Sequence, residues 1–108
     1  MALAQTPKPP YYAVIFTSQH TGKEQEEYDR TSAKMVSLAQ KQPGYLGVES
    51  VRSDSGLGIA SVYWKDRESI KAWRHHPEHK KAKTRGRTIW YEYYKVRIAK
   101  VEKDYGKI

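Results

Sequence analysis

Apolar and polar positions follow a strand-like pattern in four segments of the chain, and these segments predict four β-strands. β-Branched and aromatic residues fill the stretch from Tyr11 to Ser18, which follows a proline cluster. Two further stretches, YLGVESVRS and LGIASVYW, flank the turn sequence DSG, whose glycine suits the tight connection of an antiparallel hairpin. The fourth segment runs from Thr88 to about Lys103 and has bulky residues at both odd and even positions.

Two segments between these strands have the three- and four-residue spacing of amphipathic helices. From Glu24 to Gln42 the apolar residues fall on one face, and glutamates fill the first turn, where the helix dipole favours negative charge. Asp66 can cap a second helix, DRESIKAWRHH, which Pro77 restarts as a short third helix and Gly86 closes.

The order β-α-β-β-α-β predicts an α+β fold of the ferredoxin-like type with a four-stranded antiparallel sheet. Right-handed crossovers place both helical segments on one face of that sheet. The third predicted strand nevertheless has bulky residues on both faces, with Ile59 and Tyr63 on one and Val62 and Trp64 on the other. A second sheet must cover the open face, and we therefore predict a homodimer in which the sheets of two copies pack together.

Length and composition are those of one globular domain, which we expect to span residues 11–108 after a disordered, proline-rich leader at residues 1–10. The chain has no cysteine, which excludes disulfides and thiolate chemistry. It has no run of about 18 apolar residues, and the leader lacks the apolar core of a signal peptide. These observations favour a cytoplasmic protein without a membrane partner.

The net charge of +8 is concentrated between Lys71 and Arg87, where seven basic residues accompany one acidic residue. Such a run is typical of a solvated helix face, although it also suits anionic partners. RNA-recognition motifs share this strand order, but the third predicted strand, LGIASVYW, lacks their aromatic signature. The basic residues also fall on the helical side of the sheet, so we expect no nucleic-acid partner.

Three segments, PGYLGVES, YWKDRESIKAWRHHPEHKKA and GRTIWYEYYKVRIAKVE, resemble the antibiotic biosynthesis monooxygenase superfamily of dimeric α+β barrels. The likeness extends from Tyr11 to Tyr105, and its most specific part is the third strand with Trp64 running into the helix with Trp73. The resemblance implies a dimer of facing sheets and a pocket between sheet and helices. Some members oxidise polycyclic phenols without metal or flavin, and others cleave haem.

Haem-degrading members share one of three expected groups with this chain. Trp73 matches their pocket tryptophan, but Lys83 stands ten residues later where they have a histidine ligand. The first strand offers Thr17 and Ser18 where they have an asparagine. Haem binding or degradation is therefore kept as an alternative function.

His76 and His79 are the candidate catalytic bases. His76 lies three residues after Trp73 on the same helical face, and an imidazole is a suitable base for a phenolic proton near pH 7. A metal site is not expected, because Pro77 separates the two histidines and His20 falls in a loop after the first strand. A water-facing capping role remains the alternative for these histidines.

Four aromatic residues can form the walls of a pocket for a flat substrate, and Arg87 can pair with a carboxylate or enolate oxygen. Ordinary core packing is the alternative for the aromatics, which are Tyr63, Trp64, Trp73 and Trp90. The sequence thus favours a cofactor-independent monooxygenase acting on a small phenolic or quinol-like molecule. A dimeric small-molecule-binding protein without catalysis is a further alternative.

Overall fold

A computed structural model describes residues 3–107, and within them the chain forms one four-stranded sheet with helices on one face. The strands are antiparallel and lie in the order β2-β3-β1-β4, which confirms the ferredoxin-like fold. The elements in chain order are β1 (Tyr11–His20), α1 (Gln25–Gln40), β2 (Tyr45–Arg52), β3 (Leu57–Trp64), α2 (Arg67–Arg74), α3 (Pro77–Arg85), a π-helical turn (Gly86–Trp90) and β4 (Tyr91–Val101).

The two short helices begin where their capping residues predict. The Asp66 side chain accepts a hydrogen bond from the backbone N–H of Ser69 at 2.8 Å. Pro77 occupies the start of α3, where its missing N–H costs nothing. His76, which precedes it, has extended backbone and caps α3 through its ring. The α2–α3 break is therefore a defined junction between two capped helices.

The hydrophobic core lies between the helices and the sheet. Four buried residues form its centre, and partly buried apolar side chains from β1, α1, β2 and β3 pack around them. Because Val14 of β1 belongs to this surrounding layer and pairs with Val62 and Ile98, these three residues face the helices. The central residues are Ala39, Trp64, Ile70 and Trp73.

Both terminal segments contact one end of the opposite face of the sheet. The backbone N–H of Ala4 donates to Glu49 at 3.0 Å, and the Thr6 hydroxyl donates to the hydroxyl of Tyr11 at 3.1 Å. Tyr11 in turn donates to the carboxylate of Asp104. Disorder of the leader at residues 1–10 stays a prediction, and residues 1 and 2 of it, like residue 108 of the expected domain, lie outside the described residues.

The rest of this face has no cover within residues 3–107. Its apolar side chains are between 45% and 72% exposed and occupy the end of the sheet away from Tyr11. They come from three strands and comprise Val51, Leu57, Ile59 and Tyr93. Exposed apolar side chains on this face agree with the bulky residues that the sequence has on both faces of β3.

α3 ends at Arg85 with Gly86 as its C-cap, as predicted. The boundary that differs from the prediction is the start of the last strand. Gly86 is right-handed helical, with φ −58° and ψ −49°, and the chain continues from it as the π-helical turn, so the last strand begins at Tyr91 rather than at Thr88. The glycine also serves a close approach, since a Cβ at position 86 would lie 2.8 Å from Cε2 of the Tyr91 ring.

The Gly86→Ala variant is expected to be less stable than the wild type. Overpacking against Tyr91 costs about 1–3 kcal/mol, and the better helix propensity of alanine offsets about 1 kcal/mol of this. Urea unfolding followed by circular dichroism measures the difference. The control is Gly106→Ala, since a Cβ at Gly106 meets nothing within 4 Å. Equal stability of the two variants would show that Tyr91 moves aside without cost.

Candidate functional site

Three side chains meet at the break between α2 and α3, and we call this group the junction site: Trp73, His76 and His79. The His79 ring stacks on the indole of Trp73, with 4.5 Å between ring centroids and 13° between planes. The His76 ring lies 5.3 Å from the same indole. Trp64 supports Trp73 from beneath, with 6.4 Å between ring centroids. The structure thus brings together both predicted bases and two of the four predicted aromatic residues.

His79 has the geometry of a general base. Its Nδ1 lies 3.0 Å from the carbonyl oxygen of Trp73, which can only accept a hydrogen bond. Neutral His79 therefore carries its proton on Nδ1 and a lone pair on Nε2. Burial lowers the pKa of His79, and the nearby positive charge of Lys83 acts in the same direction. The imidazole is consequently neutral near pH 7.

His76 has the opposite proton arrangement. Its Nδ1 accepts a hydrogen bond from the backbone N–H of Glu78 at 3.2 Å, so neutral His76 carries its proton on Nε2. The ring therefore caps α3 and offers a donor rather than a base. The two candidate bases form an acceptor and donor pair on either side of Pro77.

The remaining predicted site residues lie elsewhere. Tyr63 faces the other side of the sheet, where it stacks on Tyr11 at 5.7 Å. Trp90 is buried in a second aromatic cluster described below. Arg87 is exposed on the π-helical turn, and its charge acts on Lys83 of α3. Burial lowers the pKa of Lys83, and the positive charges of Arg74 and Arg87 lower it further. Arg74 of α2, Lys83 of α3 and Arg87 of the π-helical turn therefore form a positively charged patch.

The helix α3 covers the sheet incompletely. None of its residues is buried, and it is tied to α1 by ion pairs from Lys34 to Glu78 at 3.0 Å and from Arg85 to Glu24 at 2.8 Å. The helix-facing side of β4 is exposed at three apolar positions, which we call the β4 stripe: Tyr94 at 43%, Val96 at 47% and Ile98 at 46%. The stripe is continuous with the half-buried Val14 and Phe16 of β1.

A second group of aromatic side chains, which we call the His20 cluster, lies at the far end of the sheet: His20, Tyr28, Trp90 and Tyr91. The rings of His20 and Tyr28 are 3.9 Å apart, and those of Tyr28 and Trp90 are 5.4 Å apart, both edge to face. The hydroxyl of Tyr91 donates to that of Tyr28 at 3.2 Å. The prediction that His20 lies in a loop is wrong, because β1 extends through His20 and buries it.

The cation of Arg52 lies beside the cluster. Arg52 donates to the buried hydroxyl of Ser18 at 2.9 Å, and its guanidinium lies 5.9 Å from the centre of the Tyr28 ring. Burial lowers the pKa of His20, and the charge of Arg52 acts in the same direction. Burial also raises the pKa of Tyr91. The environment thus keeps both His20 and Tyr91 neutral near pH 7.

Sequence reasoning missed this cluster because its members come from β1, α1, the π-helical turn and β4. One signal was available in the first strand. Ser18 and His20 share the parity of Val14 and Phe16, so two polar side chains continue an apolar face. Polar residues on the buried face of a strand require partners and therefore mark a site worth inspecting.

The stability of the protein is expected to fall as the pH is lowered through and below 6.5, the ordinary pKa of histidine. The folded-state pKa values of His20 and His79 both lie below 6.5, so the unfolded chain takes up protons first. The contribution of the two neutral histidines to the free energy of unfolding is fully present above pH 6.5. It is lost as the pH falls from 6.5 to their lowered folded-state pKa values. Urea unfolding at a series of pH values measures this loss, and the His20→Phe and His79→Phe variants should show a flatter dependence. An unchanged slope in both variants would contradict the assignment.

No group of three or more histidine and acidic side chains within residues 3–107 is arranged to hold a metal ion. In that same part of the chain, no helix is long and apolar enough to cross a membrane.

Comparison with known proteins identifies the family. A family model described as antibiotic biosynthesis monooxygenase matches residues 11–85, which is more than half of the chain. The chain belongs to this family. The matched range includes β1 to α3, and with them Trp64 and the whole junction site. The resemblance stated from the sequence is thereby confirmed.

Three proteins are similar to this family member in sequence or in structure. The uncharacterized protein YqjZ of Bacillus subtilis is 54% identical over 102 residues, which cover 94% of this chain and 89% of YqjZ. SnoaB of Streptomyces nogalater, a cofactor-independent oxygenase, superposes with a TM-score of 0.76 at 12% identity and covers 92% of this chain and 100% of its own. A conserved protein of Methanosarcina mazei superposes with a TM-score of 0.74 at 12% identity, covering 83% and 91% of the two chains. At such identities the two structures support the fold alone.

Proposed function

We propose that this family member is a cofactor-independent monooxygenase that oxidises a flat phenolic or quinol-like molecule. The observation that carries the proposal is the His79 ring, whose Nδ1 is bonded to the Trp73 carbonyl and whose Nε2 holds a lone pair. A neutral imidazole with one fixed tautomer is the arrangement that removal of a phenolic proton requires. The family and the fold shared with SnoaB are consistent with this chemistry.

The substrate in this proposal lies between α3 and the β4 stripe. The stripe offers an apolar surface that the chain itself leaves uncovered. From Tyr94 to Ile98 it spans about 13 Å, at about 3.3 Å per residue, which suits a molecule of several fused rings. In this proposal, which treats the space between α3 and the stripe as the substrate groove, the stacked rings of Trp73 and His79 border the molecule at the α2–α3 break, and Lys83 and Arg87 supply positive charge beside it.

The reaction balances without an added cofactor. Nε2 of His79 takes the proton of the substrate hydroxyl, and the electron-rich phenolate passes one electron to molecular oxygen. The resulting radical pair combines to form a carbon–oxygen bond, and the peroxide anion takes the proton back from Nε2 of His79. The hydroperoxide then loses water by breaking its O–O bond and the C–H bond of the same carbon, which leaves a carbonyl group. In this proposal Nε2–H of His76 donates to a substrate oxygen, which the bond from the Glu78 N–H to its Nδ1 supports, and the charges of Lys83 and Arg87 favour the anionic phenolate.

Oxygen uptake with an anthrone in metal-free buffer tests this function. The expected result is protein-dependent consumption of one oxygen molecule per quinone formed, measured with an oxygen electrode and by the mass of the product. Added chelator should leave the rate unchanged. Tight anthrone binding without oxygen uptake would instead indicate a small-molecule-binding protein, and a saturable Soret shift with haemin would favour the haem-binding alternative.

We further propose that the protein acts as a homodimer through the open sheet face. The exposed side chains of Val51, Leu57, Ile59 and Tyr93 support a partner with the same apolar surface, and the facing sheets of a two-fold dimer provide one. The terminal segments at Ala4 and Asp104 restrict that contact to one end of the face. A cytoplasmic location and the lack of a nucleic-acid partner stay predictions from the sequence.

The Ile59→Lys variant is expected to be monomeric. Ile59 is 51% exposed on β3 within the proposed contact, and a lysine there would bury an unpaired charge in the dimer. Sedimentation velocity at micromolar concentration measures the assembly state. The control is Val36→Lys, which introduces the same charge at an exposed position of α1. A dimer in both variants would exclude this face as the interface.

A further inference from the structure

Two buried side-chain nitrogens within residues 3–107 lack a hydrogen-bond partner, and both belong to the His20 cluster. They are Nε2 of His20 and Nε1 of Trp90, whose residues are 6% and 3% exposed. A buried polar atom without a partner lowers stability, and native proteins keep few of them. Both residues pack edge to face against the ring of Tyr28, so the two nitrogens belong to one buried cluster, in which a bound group can supply the missing hydrogen bonds.

The hydrogen-bond role of each nitrogen is fixed by its neighbours. The side-chain amide N–H of Gln25 donates to Asp29 at 2.9 Å, so its carbonyl oxygen is the atom that faces Nδ1 of His20 at 3.2 Å. Nδ1 therefore carries the proton of neutral His20, and Nε2 is an acceptor. Nε1–H of Trp90 can only donate. One acceptor and one donor together match a hydroxyl group, which can donate and accept at once.

The cluster is also next to the proposed substrate groove. His20 pairs with Tyr91 at the start of β4, and Tyr94 at the near end of the β4 stripe packs 6.1 Å from the Tyr91 ring. Tyr94 also stacks on Phe16 at 5.5 Å, which continues the apolar surface toward His20. The junction site lies at the opposite end, because its neighbour Trp64 aligns through Tyr12 with Lys100.

We propose that the His20 cluster is the distal subsite of this groove, where His20 and Trp90 bind a second hydroxyl group of the aromatic substrate. The inference rests on the proposed function and narrows its substrate class to flat molecules with a hydroxyl at each end. The substrate hydroxyl donates to Nε2 of His20 and accepts from Nε1 of Trp90. Tyr28 and Tyr94, which are both partly exposed, move to admit it. A site built to hydrogen-bond a hydroxyl discriminates against analogues that lack it.

The test compares two anthraquinones by calorimetry: one with a single hydroxyl and one with a hydroxyl at each end. We expect the dihydroxy compound to bind the wild type at least about tenfold more tightly, as two additional buried hydrogen bonds allow. The preference should disappear in His20→Phe, which keeps the aromatic contact with Tyr28 and removes the acceptor. It should persist in the control His75→Phe, since His75 is exposed at the end of α2.

Nitrogen and proton resonances of the wild type give a second measurement that needs no variant. The Nε2 signal of His20 and the indole N–H signal of Trp90 should move on addition of the dihydroxy compound and stay unchanged with the monohydroxy one. Equal affinities, unmoved signals or a preference that survives in His20→Phe would overturn this subsite, while binding of the monohydroxy compound would leave the proposed function intact. Failure of both compounds to bind would overturn both proposals.

Discussion

The His79→Gln variant is expected to oxidise a phenolic substrate about 10²–10⁴-fold more slowly than the wild-type protein, the range that loss of a positioned base produces. Glutamine has a similar length and can still bond to the Trp73 carbonyl, so the α2–α3 junction should keep its shape. It has no group that takes a proton near pH 7. The loss should therefore appear in the maximal rate, and substrate affinity should change little.

The pH dependence of the wild-type rate provides an independent test of the same base. Because burial lowers the pKa of His79, the rate should hold down to a pH below 6.5 and then fall as the imidazole becomes protonated. The matched control is His75→Gln, which changes the neighbouring exposed histidine and should retain the full rate. A His79→Gln variant as active as this control would remove His79 from the mechanism.

Features set by local chemistry were predicted well from the sequence. The hairpin at DSG, the Asp66 cap and the Pro77 restart each depend on residues within a few positions of one another, and the structure has all three. The alternation in β3 also predicts two faces with bulky side chains, and the open face of the sheet agrees with it. Short-range patterns determine such elements because the interactions that form them are also short-range.

The errors concern residues whose roles depend on distant partners. Gly86 caps α3 as predicted, but its close approach to the Tyr91 ring is not visible in the local sequence. Tyr63 does not lie with Trp64 on one side of the sheet, because neighbouring residues of a strand point to opposite faces, and it stacks on Tyr11 instead. His20 acquires its importance from Tyr28 and Tyr91, which no local pattern connects with it.

The Trp64→Ala variant is expected to lower the free energy of unfolding by about 3–5 kcal/mol, the usual cost of removing a large buried aromatic side chain. Trp64 is 1% exposed and packs edge to face on Tyr45 at 5.6 Å, with Trp73 on its other side. Its removal leaves a cavity beneath the indole that supports His79. The junction site should therefore loosen together with the core.

Urea unfolding followed by far-ultraviolet circular dichroism measures this loss, at one protein concentration because a dimer unfolds in a concentration-dependent way. Trp64→Phe should lose less, since the phenyl ring fills part of the space. The control Tyr105→Ala removes an aromatic side chain that is 91% exposed and should change stability by less than about 0.5 kcal/mol. If Trp64→Ala unfolds like this control but binds anthraquinones more weakly, then Trp64 is a wall of the pocket rather than part of the core. If stability falls as expected and Trp64→Phe still binds anthraquinones, Trp64 acts by holding Trp73 in place. In that case the substrate contacts the ring of Trp73 and not that of Trp64.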